Sequence, residues 1–247
     1  MTVVIMCAVS PADLAKQITE IVEQVFAGVD ALRQQVERLY ARHAAAGTTP
    51  TTGDLSELRP DILANLDGAR GLVTGAGYIP APTAVADEKP WLEWWIRQRD
   101  GRPSRLVVDL DQASEAFHDY TKQPWFNVPV HTGTRHITGP YVDYVCGEEY
   151  TLTFTLPVRH NGDIVGVAGS DVIVSGFEAA LIPTLRALGT PAAIVNMDGR
   201  VIVSNTVRQV TGSLIREPDV TTLWQSPTQS MLHHCGDEPI GVLVLQT

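Results

Sequence analysis

The chain has 247 residues, of which 44% are hydrophobic and 19% are charged, and its formal net charge at pH 7 is -10. This composition describes a folded chain with a core of its own, either one large domain or one domain with a small second module, and excludes a disordered protein. The acidic excess, with no local cluster of Lys and Arg to offset it, argues against nucleic acid as a partner.

Cysteine usage and hydropathy indicate the compartment. The three cysteines, Cys7, Cys146 and Cys235, are an odd number without CxxC spacing, which favours a reducing compartment over a disulfide framework. The first ten residues are apolar but carry no Lys or Arg, so they make a poor signal peptide. No window reaches the roughly 20 apolar residues of a membrane helix. We therefore expect a cytoplasmic protein without a membrane segment.

The first predicted element is a long amphipathic helix. Ser10, Pro11 and Asp13 form a helix start with a capping residue and a proline in the first turn. Apolar residues then recur in steps of three and four until the helix ends near Gly47. These residues are Leu14, Ile18, Ile21, Val25, Val29, Leu32, Val36 and Leu39. We expect the stripe both to cover a sheet and to pair with a second copy in a homodimer.

The central part of the chain predicts an antiparallel sheet. A short second helix spans residues 54–66, with an interruption at Pro60, and short β-rich runs separated by turn signals begin at Gly68. The clearest hairpin has alternating apolar residues on both sides of an Asn-Gly turn at Asn161. A further amphipathic helix, Ser175 to Leu188, follows this hairpin.

The last part of the chain predicts a smaller module. A second hairpin surrounds Asp198 and Gly199, and the chain closes with a strand near its end. The predicted fold class is α+β, with a long N-terminal helix (1–48), an antiparallel sheet domain (49–188) and a shortened second α/β module or added strands (189–247).

Motifs for catalysis, metal binding and cofactor binding are weak in this sequence. It contains no GxSxG elbow, and Cys146 is most simply a small buried hydrophobic residue. His131 and His136 lie in loop-like sequence without the clustered spacing of a zinc site, and no glycine-rich phosphate loop precedes a helix. We therefore predict no catalytic residue, no metal and no cofactor.

Tryptophans cluster in the segment KPWLEWWIRQ. Trp94 and Trp95 are consecutive, so on a strand their side chains point to opposite faces of the sheet. At least one of them then needs a helix, a ligand or a partner subunit to cover it.

The segment QPWFNVPVHTGTRHITGPYVD, residues 123–143, predicts a binding site. We expect a helix to end near Tyr120 and a loop to follow, carrying Trp125 and Phe126. Aromatic walls combined with carboxylates are how proteins hold a small cation such as a protonated amine.

Two carboxylates complete this predicted site. Tyr141 and Asp143 share one strand face because they are two residues apart, and Asp171 ends the neighbouring long strand. Spacing alone leaves a second interpretation open, in which the aromatics are core residues and the aspartates are turn or cap residues.

The order of these elements, with the motifs KQPWF, ITGPYVDY and EYTLTFTLPVRHNGDIVGVAGSDVIV, resembles the Cache sensor domains, also called PDC sensors, of bacterial chemoreceptors and histidine kinases. The resemblance covers about residues 11–188 and is tightest over residues 117–174. It implies a PAS-like sheet behind the long helix and a shortened second module of a double Cache domain.

The resemblance also implies roles for particular residues. In the amino-acid-binding double Cache group, an Arg-x-Trp-Tyr motif grips the ligand carboxylate, and a later tyrosine and two aspartates bind the amino group. The positions of that motif and of the later residues are held here by Trp125, Phe126, Tyr141, Asp143 and Asp171.

Gln123 stands where the family has its arginine. The bidentate carboxylate clamp is therefore missing, and Lys122 and Arg135 are out of register to replace it. The resemblance then implies an amine or amide-like ligand rather than a standard amino acid.

These observations predict a noncatalytic, dimeric sensor of an amine or amino-acid-like ligand that signals to a separate regulator or transporter. The alternatives are a small enzyme on the same fold, with Asp143, Asp171 or a histidine as base, and a dimerisation scaffold that has lost its pocket.

Overall fold

The computed structural model describes residues 9–87, 90–111, 113–114, 117–226 and 231–245. Cys7 and the first eight residues of the stretch considered as a signal peptide lie outside these residues, as do the last two residues of the predicted closing strand. None of the helices in the described part of the chain has the length and apolar character needed to cross a membrane.

Helices and two antiparallel sheets make up the described residues, which confirms the predicted α+β class. The helices are α1 (Pro11–Ala45), α2 (Thr52–Leu55), α3 (Arg59–Leu66), α4 (Pro124–Thr132), α5 (Val174–Ala187) and α6 (Val220–Gln225). The strands are β1 (Val73–Pro80), β2 (Glu93–Arg97), β3 (Pro103–Arg105), β4 (His136–Asp143), β5 (Glu149–His160), β6 (Asp163–Ile173), β7 (Ala192–Asn196), β8 (Val201–Ser204), β9 (Leu232–His234) and β10 (Ile240–Val244).

Residue contacts divide the chain into two units. The central unit comprises Glu23–Thr138 and Val142–Ile173. The terminal unit comprises the residues up to Val22, the short piece Gly139–Tyr141 and the residues from Val174 onward. This division passes through α1 at Val22, whereas the sequence placed a boundary after the helix at residue 48.

Helix α1 begins as predicted and is anchored by a reciprocal cap. The backbone N–H of Asp13 donates to Ser10 Oγ at 3.1 Å, and the backbone N–H of Ser10 donates to Asp13 Oδ2 at 3.0 Å. This exchange satisfies N–H groups that have no partner inside the helix.

The apolar stripe of α1 within the central unit is buried. Phe26 packs edge-on against Phe154 of β5 with ring centroids 5.3 Å apart, so the helix covers the sheet as predicted. The stripe residues Val25, Val29, Leu32, Val36 and Leu39 are each at most 1% exposed. The expectation that the same stripe also pairs with a second copy is therefore wrong, because the sheet already covers it.

The predicted second helix is broken into two helices. Residues Ser56–Leu58 form a 3-10 turn between α2 and α3, and Pro60 lies in the first turn of α3. A proline is tolerated there because the first N–H groups of a helix have no intrahelical partner.

The six-stranded sheet has the order β3-β2-β1-β6-β5-β4. The β5-β6 hairpin is confirmed, and its turn places Asn161 and Gly162 at φ 50° and 92°, the left-handed region that an Asn-Gly pair tolerates. Phe154 pairs with Ser170, and Thr153 pairs with Asp171, so neighbouring pairs alternate between the two faces.

We call the face that carries Phe154 the helix face and the face that carries Asp171 the site face. Trp94 and Trp95 lie on opposite faces, as predicted. On the helix face, the guanidinium of Arg59 lies 4.5 Å from the ring of Trp95. On the site face, Trp94 joins an apolar cluster and is only 4% exposed. Both tryptophans are thus covered by residues of the central unit.

The strands of the terminal unit form a sheet of their own with the order β8-β7-β10-β9. The predicted hairpin around Gly199 joins β7 to β8, and β10 pairs with β7 and β9. Its core is a cluster of Ala193, Val195, Val201, Ile215, Val220, Leu223, Leu232 and Leu243. These strands do not extend the six-stranded sheet.

Candidate functional site

A small polar cavity lies on the site face of the central unit. Asp143 ends β4, Asp171 lies near the end of β6, and Cys146 follows Asp143 in the next turn. One carboxylate oxygen of each aspartate and the Cys146 sulfur lie within 4.8 Å of one another. The cavity beside them has a volume of about 40 Å³. Its walls are formed by Thr74, Gly75, Ile96, Arg97, Asp143, Cys146, Gly147, Glu149, Thr151, Asp171 and Ile173.

Asp143 shapes the turn that closes this cavity. Its Oδ1 accepts the backbone N–H groups of Val145 at 2.9 Å and Cys146 at 3.2 Å, and its carbonyl accepts the N–H of Glu148 at 2.7 Å. Asp143 is therefore a turn residue, as the second interpretation of the spacing allowed. The same bonds hold Cys146 against the carboxylate, because the turn carries it back over the end of β4.

Asp171 is a buried carboxyl group with two hydrogen-bond donors. Thr153 Oγ1 donates to Asp171 Oδ1 at 2.7 Å, and the Trp94 side chain also donates to the Asp171 carboxyl. Burial raises the pKa of Asp171 to about 7; the hydrogen bond from Thr153 lowers it, the nearby charge of Asp143 raises it, and Trp94 lowers it. Asp171 therefore binds or releases a proton near neutral pH.

Cys146 is a wall residue to which the sequence analysis assigned no function. Burial raises the pKa of its thiol well above the usual range, and the adjacent charges of Asp171 and Asp143 add to the effect. It remains a neutral thiol, which is unsuited to nucleophilic catalysis. No spacing signal links Cys146 to Asp171, because only the sheet brings the two residues together.

Trp125 and Phe126 lie on α4 rather than on the predicted loop. The helix expected to end near Tyr120 is instead a 3-10 turn, Tyr120–Lys122, and α4 begins at Pro124 directly after it. Pro124 is compatible with this helix because it occupies the first helical position, where no N–H is required.

The α4 aromatics pack in an apolar cluster on the site face. Phe126 is 4% exposed and lies edge-on to Tyr120 and Trp125, with ring centroids 5.1 and 6.4 Å away. The buried members of this aromatic cluster are Ile79, Leu92, Trp94, Tyr120, Phe126 and Val167. Trp125 and Phe126 do not line the cavity beside Asp143 and Asp171, so their contact with a ligand stays a prediction.

The remaining predicted site residues lie at two other places. Gln123 is the N-cap residue of α4, where its carbonyl accepts the backbone N–H groups of Phe126 at 3.0 Å and Asn127 at 2.8 Å. Tyr141 lies on β4, two residues before Asp143, and its contacts assign it to the terminal unit. Their roles in binding are predictions from the sequence.

Cations near the site are held by other acidic groups. Lys122 pairs with Asp119 at 2.9 Å, and Arg135 makes two hydrogen bonds to Glu23, at 2.7 and 3.1 Å. Neither residue is among those that line the cavity, so the structure provides no carboxylate clamp from either.

Arg97 is a cation in the cavity wall that the sequence analysis missed. Its guanidinium donates to Asp67 Oδ1 at 2.6 Å and to the carbonyl of Leu66 at 3.0 Å. These contacts hold the guanidinium of Arg97 against the last residue of α3 and against Asp67, which follows it.

Residues 95–178 match the family described as the first PDC sensor domain of methyl-accepting chemotaxis protein-like proteins. This segment of the chain is therefore similar to a PDC sensor domain. The match includes α4 and the strands that bear Asp143 and Asp171. PDC domains are sensor domains, in agreement with the predicted Cache resemblance and with a function other than catalysis.

Relatives and solved structures extend this result. The methyl-accepting chemotaxis protein McpA of Pseudomonas putida is 29% identical over 142 residues, which are 57% of this chain and 21% of the relative. The chain thus spans about a fifth of the length of this curated relative.

Two solved structures share the fold. A structure of Methyl-accepting Chemotaxis protein X has a TM-score of 0.62 at 18% identity. The match covers 94% of this chain and 95% of the chain in that structure. The ligand-binding domain of the Pseudomonas aeruginosa amino-acid chemoreceptor PctC, in complex with GABA, has a TM-score of 0.52 at 16% identity. The match covers 94% of this chain and 93% of the PctC chain.

Proposed function

We propose that this chain is a noncatalytic sensor of a small organic amine and that Asp143 and Asp171 bind the ammonium group of the ligand. The observation that carries the proposal is the pair of buried carboxyl groups, 8% and 6% exposed, that share one cavity on a PDC sheet. Such a pair is suited to a cation because each carboxylate accepts hydrogen bonds and the positive charge offsets their mutual repulsion.

The charges of the described residues support a cationic ligand. Among the ion pairs of these residues, none involves Asp143 or Asp171, although Arg97 lies in the same wall. Two buried carboxylates are unfavourable together unless one is protonated or a cation lies nearby. An ammonium group carries three N–H donors and one charge, so it fits the acceptor-rich cavity.

The surroundings of α4 favour an amine over a standard amino acid. Gln123 replaces the family's arginine, and Lys122 and Arg135 are engaged with Asp119 and Glu23. The ligand-binding domain of PctC, which shares the fold, is in complex with GABA, and GABA carries a primary amine. The ammonium end of such a ligand is the end that Asp143 and Asp171 can recognise.

A thermal shift screen with amines and amino acids in an amine-free phosphate buffer tests this proposal. At a ligand concentration 100 times Kd, binding adds about 2.7 kcal/mol to the free energy of unfolding, which raises Tm by roughly 5–10 °C for a chain of this size. Asp143→Asn and Asp171→Asn should each remove most of this shift.

The exposed aspartate Asp163, in the β5-β6 hairpin, is the matched control. Asp163→Asn should leave the shift unchanged. Stabilisation that survives the double change at Asp143 and Asp171 would contradict the site, and a screen without any stabilising amine would support the scaffold alternative. Turnover of a stabilising amine, followed by mass spectrometry, would support the enzyme alternative.

The proposal includes a homodimer, a cytoplasmic location and a separate regulator or transporter as partner. Because the apolar stripe of α1 is buried from Val25 to Leu39, a dimer would have to use another face of the helix. Light scattering of the purified chain measures its mass, and cell fractionation measures its location.

A further inference from the structure

Trp94 lies flat across a track of glycines on the site face. Gly77 pairs with Trp94 on one side and with Gly169 on the other, and Gly75 lies two residues along β1. A Cβ atom added at Gly75 would lie 2.9 Å from Trp94 Nε1, one at Gly77 would lie 2.9 Å from Cε3, and one at Gly169 would lie 3.2 Å from Cη2. Because the three glycines have no side chains, the sheet surface has room for the indole.

Both ends of the indole are fixed. Its Nε1 donates towards the carboxyl of Asp171, and the ring packs in the aromatic cluster with Val167 and Phe126. The side chain is buried, with 4% exposed. A tryptophan held by a hydrogen bond at one end and by packing at the other has little freedom to move aside for a ligand.

The indole occupies sheet surface that a ligand could otherwise use. It is not itself in the wall of the carboxylate cavity, which has a volume of about 40 Å³, but it lies directly behind two wall residues, Gly75 and Asp171, and separates them from the α4 aromatics. A space of this kind holds roughly three water-sized groups, since one needs about 10–15 Å³. Methylammonium and ethylammonium have two and three non-hydrogen atoms and match this space.

We propose that Trp94 is the specificity-determining residue that limits this site to compact primary amines. The inference rests on the proposed function, because it concerns the same carboxylate cavity. It adds a size limit that neither carboxylate provides, since Asp143 and Asp171 would accept any ammonium group regardless of the chain attached to it.

The test is calorimetric titration of unbranched primary amines, from methylamine to hexylamine, into the full chain in phosphate buffer. The wild-type chain should bind methylamine or ethylamine at least tenfold more tightly than butylamine. Trp94→Phe keeps an aromatic ring in the cluster but shortens the side chain near Asp171, so it should raise the affinity for butylamine relative to methylamine at least tenfold.

Trp95→Phe is the matched control, because it removes the same atoms on the helix face. It should leave the preference for chain length unchanged. Trp94→Tyr is the second variant if Trp94→Phe does not fold, and the same shift in preference is expected. Loss of stability alone would follow from either tryptophan, whereas a changed length preference is specific to the cavity.

The outcomes separate the two proposals. A wild-type chain that binds short amines, with a length preference that Trp94→Phe and Trp94→Tyr leave unchanged, overturns the size limit and leaves the amine sensor intact. Equal wild-type affinity for methylamine and hexylamine also overturns the size limit. Failure of every amine to bind either the wild-type chain or the Trp94 variants overturns the amine sensor and, with it, the size limit.

Discussion

The two ends of the site face differ in what they bury. Towards α4, the sheet carries aromatic and aliphatic side chains in close contact, with Phe126 edge-on to Tyr120. Towards the end of β6, it carries Asp143, Asp171 and a neutral thiol around a small cavity. Apolar packing stabilises the first end, whereas burial of two carboxyl groups makes the second unfavourable unless a proton or a cation is present.

This difference indicates which end of the predicted pocket is available to a ligand. Proteins retain buried, incompletely compensated charge mostly at functional sites, because elsewhere it only reduces stability. The carboxylate cavity is therefore the stronger candidate for binding, and the aromatic cluster is the support that holds Trp94 beside it.

The largest expected effect comes from Phe126→Ala in the aromatic cluster. Removing a buried phenylalanine ring should lower the free energy of unfolding by about 3–5 kcal/mol, measured by urea denaturation without ligand. The neighbouring exposed residue, Asn127, provides the control: Asn127→Ala should change the free energy of unfolding by less than about 0.5 kcal/mol. A loss of less than about 1 kcal/mol in the free energy of unfolding from Phe126→Ala would instead indicate a ring that packs fully only when a ligand is bound. That result would contradict the proposed difference between the two ends of the site face.

The second effect, smaller than the first for each pH unit, is expected from pH at the carboxylate end. The pKa of Asp171 is raised to about 7 from an ordinary value of 3.8, so the folded chain binds a proton between these values that the unfolded chain has released. Stability should therefore fall as pH rises from about 4 to 7, by up to about 1.4 kcal/mol per pH unit, and level off above 7.

Asp171→Asn isolates this contribution, because the variant lacks the titrating carboxyl group and keeps every other group unchanged. Denaturation of both chains at several pH values gives the difference between them. This difference should grow with pH up to about 7 in favour of the variant. A difference that does not depend on pH would show that Asp171 stays ionised, with a cation already beside it.

The smallest effect is expected from Gln123→Arg, which restores the family's arginine at the cap of α4. Because Gln123 lies outside the carboxylate cavity, the change should move stability by less than about 0.5 kcal/mol and leave amine binding unchanged. Titration with an amine and with the matching amino acid measures this. New affinity for the amino acid would mean that the two ends of the face act as one pocket.

Features with a local cause could be predicted from the sequence. The reciprocal cap at Ser10, the α1 stripe and the Asn-Gly hairpin at Asn161 each depend on residues close in the chain, and the structure contains all three. The opposite directions of Trp94 and Trp95 follow from strand periodicity in the same way.

Features that depend on competing contacts could not be predicted. The segment around Trp125 was predicted to be a loop, yet packing against the sheet stabilises α4 despite Pro129 within it. The buried part of the α1 stripe was also assigned to a dimer, because an apolar stripe does not reveal which surface covers it.

The sequence was enough to predict the α+β class and to propose Asp143 and Asp171 as site residues, because hydrophobic periodicity and turn signals act over a short range in the chain. Only the tertiary structure decided what surrounds them. Gly75, Trp94, Cys146 and Asp171 come from different parts of the chain, and the order β2-β1-β6-β5-β4 determines which of them meet. That order reflects the burial of whole faces of the sheet, an energy to which every strand contributes and which no short motif contains.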